Sequence, residues 1–498
     1  MQIRSGGASL RPGQGGRLFN AHFCAAVVFG TASSIVCAAG QAAQPSVVGA
    51  EVLPASDVPA AVFRAPALPD ATALVIDLPP LSASEATRLA EQQASPERFL
   101  VGFGRPIPGF AEPEALAARL HWQVTVDGGK ALAVTLTSPG ALGLRLGVRV
   151  LRLPDEAVLR FFAPGSERGQ VLAGAAVNAS LAANRFAGGK GEAAETYWSP
   201  RIDGETLTLA IELPPGVDAR QVRIALPRLS HFFRPPFDDP ESHASESAAC
   251  HQDPACHPGW DHPSRATAML VHTDDAGDSG VCTGTLLSDA DPLTDVPYLL
   301  TAHHCVPEQT RASSLETYWF LRTSRCVGPK DDFQAVSGGA ELLYAEQTTD
   351  TSFLRLRNPP PSGAVFSGWS SILPAVGTRI TGLHHPRGGL QKIVFGALTE
   401  YMNCEDVAYC GERADPQELH YLRVRWSAGA TSAGSSGSGL FRETGQLVGV
   451  LSGGFSRCDN PGGDDDYGRF DLAYREALHR WLGPAGVATE PSPAATSK

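Results

Sequence analysis

The chain contains two stretches in which short apolar or alternating segments are separated by turn residues. In the first stretch, Pro, Gly or Asp bounds each segment, and this pattern is typical of β-strands. The predicted strands are residues 72–78, 131–137, 144–153 and 206–213. One helix is predicted over residues 84–94, where Ser84 can cap the first turn and Glu85 lies within it. Residues 43–245 are therefore expected to form a β-rich, sandwich-like region and a connector.

The second stretch, residues 246–483, has short predicted strands and ends in one helix. Turn residues separate the strands, as in a β-barrel, and the strands include 267–272, 284–287, 297–301 and 447–451. The closing helix is predicted over residues 471–482. A polar, proline-bearing connector over residues 234–249 separates the two regions, and the tail over residues 484–498 is expected to be unstructured.

Composition and charge agree with a mostly β protein. The chain has 498 residues, which is too long for one ordinary domain. Only 18% of the residues are charged, whereas Gly (52) and Pro (39) are abundant, and this balance favours strands and turns over long helices. The formal net charge of -12 gives no reason to expect a nucleic acid or an anionic membrane as a partner.

The amino terminus has the pattern of an export signal. Basic residues precede an apolar run over residues 21–39, and small residues follow that run. The basic residues are Arg4, Arg11 and Arg17. We interpret residues 1–42 as a signal peptide that is cleaved near Ala42, so the mature protein is expected to be extracellular or periplasmic. The alternative is a transmembrane anchor, but the run is short and rich in Ala, Ser and Gly.

The cysteines are confined to the signal peptide and the second region. Cys24 and Cys37 lie within the signal, and eight more follow later in the chain. These are Cys250, Cys256, Cys282, Cys305, Cys326, Cys404, Cys410 and Cys458. An even number in one half of an exported chain predicts a disulfide framework, although spacing alone cannot choose the pairs. The alternative is a zinc site at residues 250–251 and 256–257, which the oxidation of exported thiols disfavours.

Three short segments of the second region supply the parts of a nucleophilic catalyst. They place His304 after a predicted strand, Asp350 before an apolar run, and Ser436 on a turn with Gly434 and Gly437. A serine hydroxyl is a weak nucleophile near neutral pH, so it needs a base within hydrogen-bond reach and a carboxylate to orient that base. The glycines allow a tight turn, in which the amides of Gly434 and Ser436 can converge on an oxyanion.

These segments resemble motifs of known serine peptidases. Residues 301–305 are similar to the Thr-Ala-Ala-His-Cys motif of chymotrypsin-fold peptidases, which share the chain order His, Asp, Ser. That order excludes an α/β-hydrolase, as does Ser438, which stands where Gly-x-Ser-x-Gly requires glycine. Further features resemble the bacterial lysyl endopeptidases, namely residues 303–304, 384–386, 435–438 and 465–469. The resemblance covers about residues 250–483 and implies a chymotrypsin-like double β-barrel with a C-terminal helix.

Neighbours of the candidate catalytic residues allow other interpretations. His303 could be the base, but the resemblance puts the base directly before the cysteine, so His304 is preferred. Asp350 could be a solvated aspartate, but the apolar run after it matches the strand that follows the family's aspartate. Ser435 stands where many relatives carry an aspartate that pairs with a newly freed amino terminus, so no such pairing is expected here. The histidines of the His-His-Pro segment, His384 and His385, are assigned no role.

The resemblance also implies a primary specificity pocket. Ser452, Gly453 and Gly454 match the strand that pairs with the substrate backbone, and Asp465 matches the aspartate that receives a substrate lysine. A carboxylate at the base of a narrow apolar slot favours a long cationic side chain, because a buried charge must be paired. The alternative is that residues 464–466 form a solvated acidic loop. A preference for Lys or Arg is expected, and the choice between them stays open.

The same resemblance implies disulfide pairs and a pro-region. The implied pairs are Cys282–Cys305, Cys256–Cys326 and Cys250–Cys458. Cys404 and Cys410 are the two cysteines left over and lie close together in the sequence, so we expect them to pair with each other. Residues 43 to about 245 resemble the pro-region of lysyl endopeptidases in position and size. Self-release would need a basic residue just before Cys250, but the nearest is Arg234, which Pro235 follows. Trimming by another enzyme, a cut farther upstream and a retained pro-region all stay open.

The sequence therefore predicts a secreted serine endopeptidase that cleaves after Lys or Arg through an acyl-enzyme. We expect a monomer that acts on protein or peptide substrates, with no metal and no other cofactor. The alternative is a catalytically silent chymotrypsin-fold binding protein whose working part is the β-rich amino-terminal region. The intact set of His304, Asp350 and Ser436 argues against that alternative.

Overall fold

The computed structural model describes residues 47–53, 73–94, 99–166, 169–234, 250–291, 293–406, 409–411, 419–460 and 462–483. The predicted signal peptide (1–42), the predicted tail (484–498) and all but the first residue of the predicted connector (234–249) lie outside these residues. Within the described ranges, no helix has both the length and the apolar character needed to cross a membrane.

The N-terminal region, residues 47–234, consists mainly of strands, as the alternating pattern predicts. The strands are β1 (Val47–Val48), β2 (Glu51–Val52), β3 (Leu74–Asp77), β4 (Leu100–Pro106), β5 (Gln123–Val124), β6 (Lys130–Thr137), β7 (Gly143–Arg152), β8 (Val158–Phe162), β9 (Gly169–Ala173), β10 (Thr196–Trp198), β11 (Ile202–Asp203), β12 (Thr206–Leu213) and β13 (Arg223–Phe232). The helices are α1 (Ala83–Ala94), α2 (Pro113–Ala117), α3 (Gly174–Phe186) and α4 (Gly191–Glu195). The predicted strands and helix correspond to β3, β6, β7, β12 and α1, and their ends agree within two residues.

We refer to residues 250–483 as the catalytic region because they carry the candidate catalytic residues, and they contain the remaining elements. The strands are β14 (Thr267–Thr273), β15 (Ser279–Leu287), β16 (Tyr298–Thr301), β17 (Glu316–Trp319), β18 (Gln334–Val336), β19 (Ala340–Glu346), β20 (Thr351–Leu356), β21 (Val365–Phe366), β22 (Trp369–Ser370), β23 (Arg379–His384), β24 (Lys392–Asp406), β25 (Tyr409–Gly411), β26 (Tyr421–Ala428), β27 (Gly439–Arg442), β28 (Leu447–Gly454) and β29 (Asp464–Arg469). The helices are α5 (Asp261–Ala266), α6 (Gln309–Ser313), α7 (Phe470–Ala473) and α8 (His479–Leu482). A π-helical turn, Tyr474–Leu478, joins α7 to α8, so the predicted closing helix is present with one wide turn.

Two sheets pack face to face in the N-terminal region. One has the strand order β3-β6-β12-β8-β9, and the other contains β10, β7, β13 and β4 in that order. Successive side chains of a strand point to opposite faces, so Leu207, Leu209 and Ile211 of β12 enter the core together. Leu146 and Val148 of β7 belong to the same buried cluster. The apolar face of each sheet is thus covered by the other, as in a sandwich.

Two barrel-like sheets form the catalytic region. Strands β14 to β20 make the first, which is open, and Leu270, Trp319 and Leu354 lie in its buried core. The second closes on itself through the order β27-β23-β24-β26-β29-β28, because β28 pairs with both β27 and β29. Val424 and Leu440 lie in its core. The architecture is mostly β and chymotrypsin-like, as the resemblance implies.

The candidate catalytic residues lie where the two barrels meet. His304 follows β16 and Asp350 precedes β20, both in the first barrel, whereas Ser436 precedes β27 in the second. A third apolar cluster, which includes Leu300, Phe353, Leu383, Phe441 and Val450, is built from strands of both barrels together with the C-terminal helix. Burial of this cluster fixes the barrels against each other, and it thereby fixes the distance between the parts of the site.

The N-terminal region shares a sheet with the first barrel. Strand β4 pairs with β15 in antiparallel fashion, with Gly102 opposite Ser279. Arg145 of β7 is only 1% exposed, and its guanidinium donates to Thr273 Oγ1 over 2.8 Å and to the carbonyl of Ser314 over 2.6 Å. The buried carboxylate of Glu316 lies 4.0 Å from Arg145 Nε. Arg145 is therefore a charged link between the two regions.

Replacing Arg145 with methionine is expected to lower the free energy of unfolding by about 3–5 kcal/mol, because the change removes the buried cation that faces the buried carboxylate of Glu316. The measurement is the midpoint of urea unfolding, together with the rate of limited proteolysis of the N-terminal region. Arg160→Met is the matched control, since Arg160 pairs with Glu212 inside the N-terminal region and is partly exposed. The control substitution should lower the free energy of unfolding by about 1 kcal/mol or less. Equal small losses for both variants would contradict the assignment of Arg145.

Three disulfides tie the catalytic region together. They join Cys250 to Cys458, Cys256 to Cys326, and Cys282 to Cys305, which are the pairs that the resemblance implies. Cys250 and Cys256 are thus not thiolates, so they cannot serve the zinc site that the spacing had left open. The backbones of Cys404 and Cys410 lie opposite each other where β24 pairs with β25, but their side chains lie outside the described part of the chain.

Candidate active site

His304 and Asp350 are brought together by the pairing of β16 with β20. Thr301, the last residue of β16, lies opposite Ser352, so the segments that adjoin these strands meet. The backbone N–H of His303 donates to the carbonyl of Asp350 over 3.0 Å, and that of His304 donates to Asp350 Oδ1 over 2.9 Å. His304 Nδ1 lies 2.7 Å from Asp350 Oδ2. The carboxylate therefore holds both the backbone and the ring of His304.

Asp350 is a buried carboxylate on an unusual backbone. Its φ of +44° lies in the left-handed region, which residues other than glycine rarely adopt. Burial by itself raises the pKa of Asp350, but the charge of His304 and hydrogen bonds from His304 and Ser452 outweigh it, so the pKa is lowered. The charged carboxylate keeps the imidazole hydrogen on Nδ1 and leaves Nε2 as the acceptor.

Ser452 adds a second support to Asp350. Its Oγ donates to Asp350 Oδ2 over 2.6 Å. Tyr421 of β26 forms a hydrogen bond with Ser452 in turn, and burial together with the nearby charge of Asp350 raises the pKa of Tyr421. Sequence analysis placed Ser452 only in the backbone segment that pairs with substrate. The structure adds a role for its side chain, which depends on the end of β28 passing beside Asp350.

The turn that carries Ser436 packs against the end of β16. The carbonyl of Ser436 accepts a hydrogen bond from the N–H of Thr283 over 2.8 Å. Gly437 has a φ of +82°, and a Cβ at this position would lie 2.2 Å from Thr301 Oγ1. Only glycine satisfies both the backbone angle and this close approach. The serine turn is thereby held against the strand from which His304 follows.

Two backbone amides on this turn are available to an oxyanion. Within the described chain, the N–H groups of Gly434 and Ser436 donate no hydrogen bond, whereas the N–H of Ser435 donates to the carbonyl of Ser432 over 2.9 Å. Gly434 has a φ of +89°, which glycine adopts without strain. Free amides on a tight turn next to a serine are the donors that stabilise the oxyanion in acyl transfer.

Ser436 Oγ and His304 Nε2 are not hydrogen-bonded among the described contacts. In ligand-free sites this bond is often long, and it shortens when substrate binds. The side chain of His304 is 29% exposed, so the ring lies open to solvent at the junction of the barrels. The structure therefore brings together the imidazole of His304, the carboxylate of Asp350 and the turn that carries Ser436.

Asp465 is fully buried on β29, directly beneath Gly454 of β28. A Cβ on Gly454 would lie 2.2 Å from Asp465 Oδ1, so glycine is needed above the carboxylate. Asp465 Oδ2 accepts hydrogen bonds from Trp426 Nε1 over 2.6 Å and from Thr431 Oγ1 over 2.8 Å. Ser456 donates from Oγ to Oδ2 over 2.6 Å and from its backbone to Oδ1 over 3.2 Å. Burial raises the pKa of Asp465, and these hydrogen bonds oppose the rise.

The run of three aspartates is part of a strand and not a solvated loop. Asp464 forms two hydrogen bonds with Arg425, over 2.7 and 2.8 Å, and Asp466 forms two with Arg423, both over 2.9 Å. Because side chains alternate along β29, Asp465 points to the opposite face, into the barrel. The alternative of an ordinary acidic surface loop is therefore not supported for Asp465.

Sequence analysis missed two hydroxyl side chains beside this carboxylate. Thr431 and Ser456 both contact Asp465, but they are separated from it by 34 and 9 residues. The hydroxyl of Thr431 also lies 3.2 Å from that of Ser456. The contact arises because β28 pairs with β29 and closes the second barrel, and no local sequence pattern encodes that closure. A hydroxyl residue just before the serine turn was the available sequence signal.

Comparison with known proteins finds relatives of this chain. A family model described as lysyl endopeptidase, C-terminal domain, matches residues 244–468, and one described as lysyl endopeptidase N-terminal domain matches residues 77–233. A lysyl endopeptidase of Pseudomonas aeruginosa is 30% identical over 426 residues, which are 80% of this chain and 84% of that protein.

Solved structures with some similarity are also proteases. The HtrA-type protease AlgW with a tripeptide is 18% identical, with a TM-score of 0.30, over 43% of this chain and 60% of its own. The active form of the Rv3671c protease from M. tuberculosis is 16% identical, with a TM-score of 0.30, over 48% of this chain and 89% of its own.

Proposed function

The chain belongs to the lysyl endopeptidase family of serine endopeptidases, and from this premise we propose that it is an exported enzyme that cleaves peptide bonds after lysine. The observation that carries the proposal is one set of contacts. Asp350 holds the ring of His304, the turn of Ser436 packs on the strand before that histidine, and a buried carboxylate, Asp465, lies beneath Gly454.

The proposed reaction has two halves, acylation and deacylation of the serine, and each of these groups acts once in each half. Ser436 Oγ attacks the substrate carbonyl while His304 Nε2 takes its proton, and Asp350 stabilises the imidazolium. The oxyanion that forms is bound by the amides of Gly434 and Ser436. His304 then gives the proton to the leaving amine, and a water molecule repeats the sequence on the acyl-enzyme. The backbone of Gly453 and Gly454 would pair with the substrate strand.

The surroundings of Asp465 support lysine over arginine as the preferred residue. Asp465 Oδ2 already accepts three hydrogen bonds, so the carboxylate cannot offer two free oxygens to the planar fork of a guanidinium. The hydroxyls of Thr431 and Ser456 keep acceptor lone pairs next to that carboxylate. A compact ammonium with three donors fits such a cluster of acceptors better than a guanidinium does. We therefore infer that kcat/KM for lysyl substrates exceeds that for arginyl substrates by more than tenfold.

Peptide-library profiling of the purified protein tests the proposal. Cleavage should occur after lysine, and a fluorophosphonate probe should label the wild-type protein but not Ser436→Ala. If the probe labels the protein but lysyl and phenylalanyl peptides are cleaved equally, the assignment of Asp465 to a lysine pocket is refuted and the assignment as a serine peptidase stands. Absence of both labelling and cleavage would instead favour a silent binding protein.

Replacing Asp465 with asparagine is expected to lower kcat/KM for lysyl substrates by about 10²–10³-fold, because the substrate ammonium would lose its buried counter-charge. The measurement is kcat/KM for matched lysyl and phenylalanyl peptides. Asp464→Asn is the control, since Asp464 pairs with Arg425 and faces away from the barrel, and its kcat/KM should stay within about twofold. An unchanged ratio of lysyl to phenylalanyl cleavage in Asp465→Asn would exclude Asp465 as the selectivity determinant.

Export and removal of residues 1–42 are part of the proposal, as is the assignment of residues 43–245 to a pro-region and connector. The export pattern of the first 42 residues and the disulfides of the catalytic region support it. Mass mapping of the amino terminus of the secreted form tests these boundaries. A secreted protein that still begins at Met1 would contradict cleavage.

A further inference from the structure

The residue before the proposed nucleophile has its side chain buried against a histidine. Ser435 and His384 are both 0% exposed, and Ser435 Oγ lies 2.7 Å from His384 Nδ1. Ser435 Oγ also accepts a hydrogen bond from the backbone N–H of Ser432 over 3.1 Å. His384 is the last residue of β23, so this side-chain contact connects the serine turn to the wall of the second barrel.

The direction of this hydrogen bond follows from the groups present. Burial, together with the nearby His251, His385 and Lys392, lowers the pKa of His384 well below its usual value, so the ring is neutral. Because Ser435 Oγ already accepts from Ser432, its hydroxyl hydrogen is available to the ring. We therefore assign Nδ1 as the acceptor from Ser435 and place the ring hydrogen on Nε2, which has no hydrogen-bond partner within the described chain.

The segment that follows His384 supports the same turn through its backbone. The N–H of Arg387 donates to the carbonyl of Ala433 over 2.7 Å. Thr283 Oγ1 accepts from the N–H of His385 and donates to the carbonyl of Gly434, both over 3.1 Å. Residues 433–435 of the turn therefore each form a hydrogen bond with residues 384–387 or with Thr283. Ser435 is the one held through its side chain.

This support exists while the chain is uncut. The peptide continues through Ala249, so Cys250 carries no free amino group. The start of the catalytic region is nonetheless docked, because Lys392 Nζ lies 2.5 Å from Asp253 Oδ1. The ring of His251 packs edge-on against that of His384, with 5.8 Å between ring centroids. An imidazole, and not an α-amine, thus lies behind the serine turn.

We propose that Ser435 and His384 are positioning residues for the oxyanion hole, and that their uncharged hydrogen bond keeps the amides of Gly434 and Ser436 aligned without a newly freed amino terminus. The inference rests on the proposed peptidase function and deepens it. Neither residue touches the substrate. They act by restricting the backbone at Ser435, which lies between Gly434 and Ser436, the two residues whose N–H groups are the proposed donors to the oxyanion.

Two variants test the hydrogen bond. Ser435→Ala removes one oxygen atom, and His384→Phe keeps an aromatic ring while removing its acceptor. Each is expected to lower kcat by about 10–100-fold with KM within about twofold, because the loss falls on the transition state alone. The double variant should be no worse than either single one, since both remove the same interaction. Ser435→Thr keeps the hydroxyl and should recover most of the activity.

An inhibitor pair separates positioning from general damage to the fold. A peptide aldehyde that ends in lysine forms a tetrahedral adduct with Ser436 and uses the oxyanion hole, so its affinity should fall in step with kcat. A simple alkylamine that reaches only Asp465 should bind to the variants as tightly as to the wild-type protein. His272→Asn is the control for loss of a buried histidine elsewhere, on β14, and both affinities should stay unchanged.

A cut placed before Cys250 tests independence from the amino terminus. A recognition site for an added protease is inserted in the connector, and fluorophosphonate labelling is compared before and after the cut, with the N-terminal region still docked. The labelling rates before and after the cut are expected to be equal. An increase of tenfold or more after the cut would overturn the proposal that the oxyanion hole forms without a free amino terminus. Folded Ser435→Ala and His384→Phe variants with wild-type kcat and aldehyde affinity would overturn the rest. An active Ser436→Ala variant would instead refute the proposed function itself.

Discussion

Replacing Ser436 with alanine is expected to lower kcat for a lysyl peptide by about 10⁶-fold while KM changes little. The hydroxyl is the proposed nucleophile, and without it His304 has no proton to accept and no acyl-enzyme can form. A residual acceleration over water should persist, because the amides of Gly434 and Ser436 and the pocket at Asp465 are retained. Steady-state kinetics measure the loss, and mass spectrometry should find no covalent adduct with a fluorophosphonate.

Ser438→Ala is the matched control for this change. Ser438 lies on the same glycine-flanked segment, two residues after Ser436, and it is fully buried, whereas Ser436 is half-buried. Its kcat should stay within a few-fold of the wild-type value. If Ser436→Ala retained more than about one hundredth of the wild-type kcat, the nucleophile would have to be another residue.

Replacing Asp350 with asparagine is expected to lower kcat by about 10⁴-fold. Asp350 Oδ1 accepts the backbone N–H of His304, so an asparagine would keep its oxygen there and turn its amide nitrogen toward the ring. The amide would then donate to Nδ1 and force the ring hydrogen onto Nε2. In that tautomer His304 cannot accept the proton of Ser436. Single-turnover kinetics should show slow acylation, with binding of a lysyl substrate nearly unchanged.

Asp471→Asn is the control for the loss of a buried carboxylate. Asp471 of α7 forms two hydrogen bonds with Arg469, the last residue of β29. This variant should lower stability but leave kcat per folded molecule within about twofold. A comparable kcat in Asp350→Asn and Asp471→Asn would show that Asp350 contributes only to folding.

The alternation of apolar and polar side chains predicted the strands of the N-terminal region well because one face of each sheet enters an apolar core. In β12 the alternating residues Leu207, Leu209 and Ile211 enter that core, the residues between them are also buried, and the predicted strand has the same ends as the observed one. The residues around His304, Asp350 and Ser436 were also found from sequence, since their motifs are local. The buried position of Asp465 could be inferred only from the resemblance, because a run of aspartates is ordinarily solvated.

Contacts between distant segments could not be predicted where neither a local motif nor the resemblance gave a partner. Ser435 and His384 lie 51 residues apart, and their hydrogen bond forms only when the serine turn meets the end of β23. The contact of Thr431 with Asp465 likewise requires the second barrel to close. The position of Arg145 in a sheet shared by two regions is a third case, since its strand pattern gives no partner.

Strand β15 would have a bare edge if the N-terminal region were released. The ladder that now covers Ser279 and Gly280 would be gone, and unpaired backbone groups of this kind recruit strands from other molecules. Asp278 stands beside that edge, where Arg88 now neutralises it through contacts of 2.7 and 2.8 Å. Without Arg88, its charge would repel a second copy of the same edge. The carboxylate of Asp278 would thus help to bind the N-terminal region in the intact chain, and it would oppose aggregation once that region is released.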